Sequence, residues 1–342
     1  MKLGLPIALL ALALSTPARA QTPADFYRGK TLALDVGFNP GGGYDVYARL
    51  FAKHFPRFLH PEGTPGAPSV VVRNMPGAGS VIAANHLASR AAADGTEFGL
   101  VASTAALEPL FGVAQTQYDG RDFVWLGSAN REPGACFASA ASGVASARDL
   151  FERGMLTGTA GTSSLLVPTT LNNVLGAKLK LVRGYAGTSA LMLAIERGEV
   201  QGMCGMVQGA LETEHPDWLA NGLVKPVLQI GLERWAGFGD APLVTEFVKN
   251  PDDAQLLRLL IGWSIMGRPF LAPPKTPPER ALFLRTAFAA MMADAEFRAD
   301  ARKSRAGIDP IGAADIAAFL QSAYATPRDI VDKARAITRE SQ

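Results

Sequence analysis

Val36-Gly37-Phe38-Asn39-Pro40-Gly41-Gly42-Gly43-Tyr44-Asp45 is the stretch on which the fold turns. The apolar run from Thr31 to Val36 precedes it and reads as a short buried strand. After it, Val46, Ala48, Leu50, Phe51 and Phe55 recur at helical spacing. The segment is therefore a strand, a glycine loop and a helix start. Three glycines leave no side chain between a ligand and the unpaired N–H groups of a first helical turn, which sit at the positive end of the helix dipole. A carboxylate or phosphate there would receive charge-assisted hydrogen bonds of about 1.5–3 kcal/mol each. The other reading is a turn that needs glycine only for its backbone angles. No Gly-Lys-Ser/Thr ends the loop and the GxGxxG spacing is absent, so a nucleotide is not expected.

Outward from the loop, the chain begins with Met1-Lys2, an apolar core from Leu5 to Leu14, and the small-x-small site Ala18-Arg19-Ala20. Residues 1–20 read as a cleaved secretory signal. Their removal, Lys2 and Arg19 included, leaves 322 residues with 31 basic against 31 acidic side chains. That neutral balance argues against nucleic acid or an anionic membrane surface as partner. With 48% hydrophobic and 19% charged residues, the chain is globular and long enough for two domains.

Further strand–loop–helix units follow. Ser69 to Val72 leads into Asn74-Met75-Pro76-Gly77-Ala78-Gly79-Ser80, and Phe98 to Ala102 leads into Ser103-Thr104. Three such units predict a parallel sheet with ligands beyond the carboxyl ends of its strands. Phe123 to Ala129 and Ala135 to Ser139 read as strands around Asn130-Arg131-Glu132-Pro133-Gly134, a passage into a second domain. There the pattern repeats: Met155 to Ala160, Leu179 to Val182 and Val200 to Cys204 are strands. Their loops are Gly161-Thr162-Ser163-Ser164 and Gly184-Tyr185-Ala186-Gly187-Thr188-Ser189, with Gly205 in the turn after the third. Val224 to Ile230 is an extended segment placed to run back to the first domain, Trp263 to Met266 a further candidate strand, and the tail from Pro277 packing helices. The expected division is 21–130 with 231–342 as one lobe and 131–230 as the other.

Enzymatic patterns are missing. His54, His60, His86 and His215 belong to no HExxH, pair with no CxxC, and no GxSxG elbow is present. Glu212, Glu214 and Asp217 read as a solvated helix end. No cofactor or metal is expected. Cys136 and Cys204 fall in strands of one lobe of an exported chain, where a disulfide or two buried thiols both fit.

The motifs together resemble one family, the periplasmic solute-binding receptors of tripartite tricarboxylate transporters, or Bordetella-uptake (Bug) proteins. The resemblance covers nearly the whole mature chain. It is carried by Phe38 with Pro40-Gly41-Gly42-Gly43-x-Asp45, by Asn74-x-Pro76-Gly77-Ala78-Gly79, by Asp94-Gly95 and by Tyr185-x-Gly187. It implies an α/β type II periplasmic binding fold, two lobes joined by two crossing segments, with a carboxylate in the cleft. It also implies that backbone groups and ordered waters of the first loop hold that carboxylate. Tyr44 stands where Thr or Ser is common and Ser80 where Gly is common; Gly184 replaces a Pro. The loop at 161–164 lacks the His that often follows it.

The expected ligand set begins with the first loop, Phe38, Asn39, Pro40, Gly41, Gly42, Gly43, Tyr44 and Asp45. Phe38 and Tyr44 either wall the pocket or belong to the core. Asp45 either caps the helix or meets a ligand hydroxyl or ammonium. Ser103, Thr104, Thr162, Ser163 and Thr188 offer hydroxyls at strand ends, beside Gly161, Tyr185, Gly187 and Gly205. Arg131 is read as a fork for a second carboxylate or as the partner of a nearby acid. The expected protein is a monomeric periplasmic receptor that hands a small carboxylate to a membrane permease. A sensor partner of a histidine kinase and a secreted enzyme on the same scaffold are the alternatives.

Overall fold

The computed structural model describes residues 22–60, 65–160, 162–185, 187–209, 211 and 217–341, leaving aside the side chains of residues 162, 163 and 188. The signal segment, Gly161, the hydroxyls of Thr162, Ser163 and Thr188, and the acids Glu212 and Glu214 lie outside the described residues.

Along the chain come β1 (Thr31–Val36), β2 (Ser69–Asn74), β3 (Glu97–Leu100) and β4 (Val124–Ser128). Then follow β5 (Gly134–Ser139), β6 (Met155–Gly158), β7 (Leu179–Val182), β8 (Gly202–Val207) and β9 (Val224–Ile230). Last are β10 (Pro269–Ala272) and β11 (Ile311–Gly312). They build two sheets, one in the order β11-β4-β10-β3-β1-β2 and one in the order β7-β6-β8-β5-β9. β1 pairs parallel with β2 from Thr31↔Ser69 to Val36↔Asn74, and with β3 from Ala33↔Glu97. Each sheet also contains one antiparallel insertion, β10 between β3 and β4 and β5 between β8 and β9.

β10 is central to the first sheet, and the sequence reading missed it. Its alternation feeds both faces: Phe270 stacks on Phe51 at 4.7 Å in one core, and Leu271 joins Leu87 and Trp125 in the other. Burying such side chains contributes about 1.5–3 kcal/mol each. Three apolar residues between Pro269 and Pro273 look like a loop in isolation. Proline is nonetheless tolerated at the first residue of a strand. The strand expected over Trp263 to Met266 is instead a 3₁₀ turn, Gly262–Ile265, continuing the Pro251–Ile261 helix. The chain turns there against Phe319, whose ring lies 2.4 Å from where a Cβ on Gly262 would sit.

Val224–Ile230 does not run back to the first sheet. It is the edge strand β9, paired with β5. The return is made by 262–268, which lies beside the outgoing segment 129–133. Ala129 N–H donates to Arg268 O (3.0 Å), Gly267 N–H to Asn130 O (3.0 Å) and Glu132 N–H to Ser264 O (2.7 Å). These bonds tie the two crossings into one ribbon between the sheets.

β8 extends past Cys204 to Val207, further than the expected Val200 to Cys204. The pairing Ala135↔Met206 then Cys136↔Cys204 skips Gly205, a bulge whose φ of +86° suits glycine. Cys136 and Cys204 face each other across this pair and are joined as a disulfide.

Candidate functional site

The first loop ends at the Gly43–His54 helix, which buries Tyr47, Ala48, Leu50 and Phe51 and carries Lys53 and His54 in its last turn. Those bases suit the negative end of its dipole. Gly42 is its N-cap, extended at φ −81° and ψ 173°, and no side chain caps it. Residues 39–43 are exposed, so the helix N-terminus opens toward solvent. Gly41, at φ +83°, is the position in this loop that requires glycine.

The loop is held from behind. Asp45 is 2% exposed, and its carboxylate accepts from Gly41 N–H (2.9 Å), Arg49 Nε (2.7 Å) and Asn74 Nδ2 (3.0 Å). Burial pushes its carboxyl up, yet Arg49, Gly41 and Asn74 hold it below the ordinary value. Asn74 Nδ2 also donates to Phe38 O (3.0 Å), so the end of β2 fastens the loop after β1. Ser80, left-handed at φ +74° and fully buried, accepts from Ala102 N–H (2.7 Å) and thereby joins the second loop to the third. A Cβ on Gly37 would come within 2.2 Å of Ser80 Cβ, which accounts for glycine there.

Between the sheets lies a cavity of about 400 Å³. The first helix lends it Gly43, Tyr44, Val46 and Tyr47, and the crossing segment Asn130, Arg131 and Glu132. The end of β8 adds Val207, Gln208 and Gly209, and the return segment adds Arg268. Trp235 and residues 304–309 close it. A larger hollow of about 920 Å³ runs beside edge strand β9, but it draws no residue from the first sheet.

Arg268 dominates the cavity's electrostatics. Its guanidinium lies 4.2 Å from the Tyr44 ring centroid and 5.2 Å from that of Tyr47. Tyr44 in turn stacks on Phe38 at 3.9 Å, and its Oη accepts from Ser103 N–H (3.3 Å). Arg268 Nη1 donates to Gly267 O (2.7 Å) and contacts Glu132 Oε1 (2.7 Å). The side chains of this ion pair are 12% and 7% exposed. Burial opposes the arginine's charge, but Glu132 and Tyr44 outweigh it and hold the guanidinium protonated, its pKa raised. Burial also raises the Tyr44 hydroxyl.

Of the residues expected from sequence, Gly43, Tyr44 and Arg131 line this cavity. Phe38 backs Tyr44, and Asp45 braces the loop. Arg131 lies at the rim with Nη1 on Asp309 (2.8 Å) and Nε 3.6 Å from Glu233. Ser103 and Thr104 follow β3, where Ser103 meets the site only through Tyr44. Thr104 O accepts from Leu107 and Glu108 N–H. Tyr185 packs in the second lobe's core, its ring 3.3 Å from where a Cβ on Gly158 would sit. Gly187 is the N-cap of the Thr188–Glu196 helix. Sequence reasoning missed Arg268, Tyr47 and Trp235 as cavity residues, and placed Glu132 in the passage between the domains without a site role. Arg268 carried a usable signal: it is the one charged residue between Arg258 and Lys275.

Two clusters among the described residues have ligand atoms close enough for a metal, Asp35–His86–Glu97 and His54–Asp294–Glu296. Each already contains an arginine. Arg73 Nε and Nη2 fork onto both oxygens of the fully buried Asp35 (2.7 and 2.8 Å) and Arg73 also pairs with Glu97. Arg57 holds Asp294 and Glu296. The guanidinium supplies the positive charge that a metal would bring.

Among solved structures, a TctC solute-binding protein from Polaromonas superposes with a TM-score of 0.70 at 19% identity, covering 92% of this chain and 99% of that one. MatC (Rpa3494) from Rhodopseudomonas palustris, solved with malate, gives 0.58 at 19% identity, with 90% and 99% covered. Rpa4515 from R. palustris, solved with adipate, gives 0.57 at 18% identity, with 91% and 97% covered. These likenesses establish the two-lobed fold. No curated protein matches the chain. A family model described as "Tripartite tricarboxylate transporter family receptor" matches residues 65–335. The chain therefore belongs to the receptor family of the tripartite tricarboxylate transporters.

Proposed function

We propose that this receptor captures one small carboxylate in the cavity between its lobes and delivers it to the membrane subunits of a tripartite permease. The observation that carries this reading is the meeting of an uncapped helix N-terminus with the buried Arg268 guanidinium in one cavity. Both favour a planar anion. The malate and adipate bound in structures of like fold support the ligand class. In this reading residues 134–261, between the two crossings, and the rest of the mature chain are the lobes that close on the ligand. The protein works in the periplasm after losing residues 1–20, binds without cofactor, and does not turn its ligand over. Among the described residues no helix is long and apolar enough to cross a membrane, in keeping with a receptor that meets its permease at the surface.

The test begins with the mature chain purified natively. Mass spectrometry of the released small molecules and a thermal-shift screen of mono-, di- and aromatic carboxylates identify the ligand. A carboxylate at 100 times its Kd should add about 2.7 kcal/mol of stability. Transport is tested by deleting the gene and measuring uptake of that acid. No shift across the library together with no copurified acid would defeat the proposal.

A further inference from the structure

We propose that Arg268 is the residue that recognises the ligand's carboxylate, and that Glu132 is the built-in acid with which the ligand competes. The inference rests on the receptor reading above and names the side chain that carries it out.

A guanidinium has five N–H donors in a fixed plane. Nη1 is engaged by Gly267 O and Glu132 Oε1, both at 2.7 Å. Nε is buried with no hydrogen-bond partner, and Nη2 has none among the described residues. Nε and Nη2 form one edge of the guanidinium, the edge with which Arg73 forks onto Asp35 in this same chain. A buried donor left unpaired has lost its water without a replacement acceptor, and a carboxylate on that edge supplies one.

The Nη2 end of this edge lies beside the Gly43–His54 helix. Nη2 lies 3.6 Å from where a Cβ on Gly43 would sit, so its neighbour is the first residue of the uncapped helix. A carboxylate between them meets the guanidinium on one side and the helix N-terminus on the other. Glycine at position 43 keeps this space open.

Arg268 is also fixed before any ligand arrives. Phe38, Tyr44 and the guanidinium form a three-layer stack, and Arg268 N–H donates to Ser128 Oγ (3.0 Å). A pre-oriented fork loses little entropy on binding. Glu132 completes the arrangement by balancing the charge of the guanidinium. Its Oε1 is buried and touches Arg268 Nη1 at 2.7 Å, beside the open edge, so its like charge opposes a carboxylate that docks there.

The experiment compares the mature protein with Arg268→Met, Arg268→Lys and Glu132→Gln. Each is titrated calorimetrically with succinate, malate, adipate and benzoate and with the neutral amide of each. The acid that binds the parent protein best should lose at least 100-fold in Arg268→Met and about 10-fold in Arg268→Lys, because a point charge cannot fork. It should gain several-fold in Glu132→Gln, a gain that a purely structural ion pair would not produce. The amides should bind all four proteins alike. An acid that binds the parent and Arg268→Met within threefold overturns the role of Arg268 and leaves the receptor reading standing. Failure of every acid on the parent protein removes both. If Arg268→Met does not fold by circular dichroism, unchanged affinity in the other two variants overturns the inference. Loss of affinity in all three variants, with lowered stability and no gain in Glu132→Gln, assigns the pair a structural role and overturns it as well.

Discussion

Asp45 offers a sharp test of how the first loop is built. Its carboxylate receives the Gly41 N–H and the Asn74 amide at 2.9 and 3.0 Å, both in partly buried surroundings, while Arg49 approaches with a side chain 61% exposed. Hydrogen bonds to a charged group contribute about 1.5–3 kcal/mol each, and an exposed pair adds about 0–1 kcal/mol. Asp45→Ala should therefore lower the free energy of urea unfolding at pH 7 by about 3–7 kcal/mol. Asp45→Asn keeps one acceptor oxygen and should lose about half as much. The carboxyl is depressed in the folded state, so its stabilisation is present above the unfolded value of about 3.9 and lost as the pH falls through the lower folded value. The gap between the parent protein and Asp45→Asn should accordingly narrow below about pH 4. Carboxylate affinity in Asp45→Asn should stay within a few-fold of the parent. Unchanged stability combined with abolished binding would refute the reasoning, because the acid would then be meeting the ligand directly.

Arg73→Met removes the partner of the fully buried Asp35 and should destabilise by about 3–5 kcal/mol; a value under 1 kcal/mol by urea unfolding would show that the pair is dispensable. Replacing Cys136 and Cys204 together by alanine opens a loop spanning 68 positions and should cost up to about 4 kcal/mol. Ligand affinity should not change, since the bridge lies within one sheet, and thiol titration of the parent protein in denaturant should find no free thiol. Gly41→Ala forces a left-handed angle on a residue with a Cβ and should cost about 1 kcal/mol. Gly42→Ala meets only Asn39 O at 3.7 Å, in an allowed conformation, and should stay within about 0.5 kcal/mol on the same unfolding curve.

The sequence by itself determined the parts that local pattern and turn chemistry encode. β1 and β7 run over the residues expected, Thr31–Val36 and Leu179–Val182, and β9 over the expected extended segment Val224–Ile230, because short stretches rich in Leu and Val and bounded by turn residues mark strands. The glycine loop before the first helix was legible for the same reason, as was the family, whose motifs are loops of fixed backbone geometry. β10 was not legible. Three apolar residues between prolines become a strand only because β3 and β4 present unpaired edges on either side. Nor was the cavity. Its decisive contact joins Glu132 on the outgoing crossing to Arg268 on the returning one, 136 positions apart and adjacent only because backbone hydrogen bonds bind the two crossings into a ribbon. A lone arginine in an apolar run announces that a buried charge must be compensated, but the compensating group is chosen by topology. Sequence spacing reaches one helical turn or one strand neighbour, and the pocket is assembled over distances that only the folded chain sets.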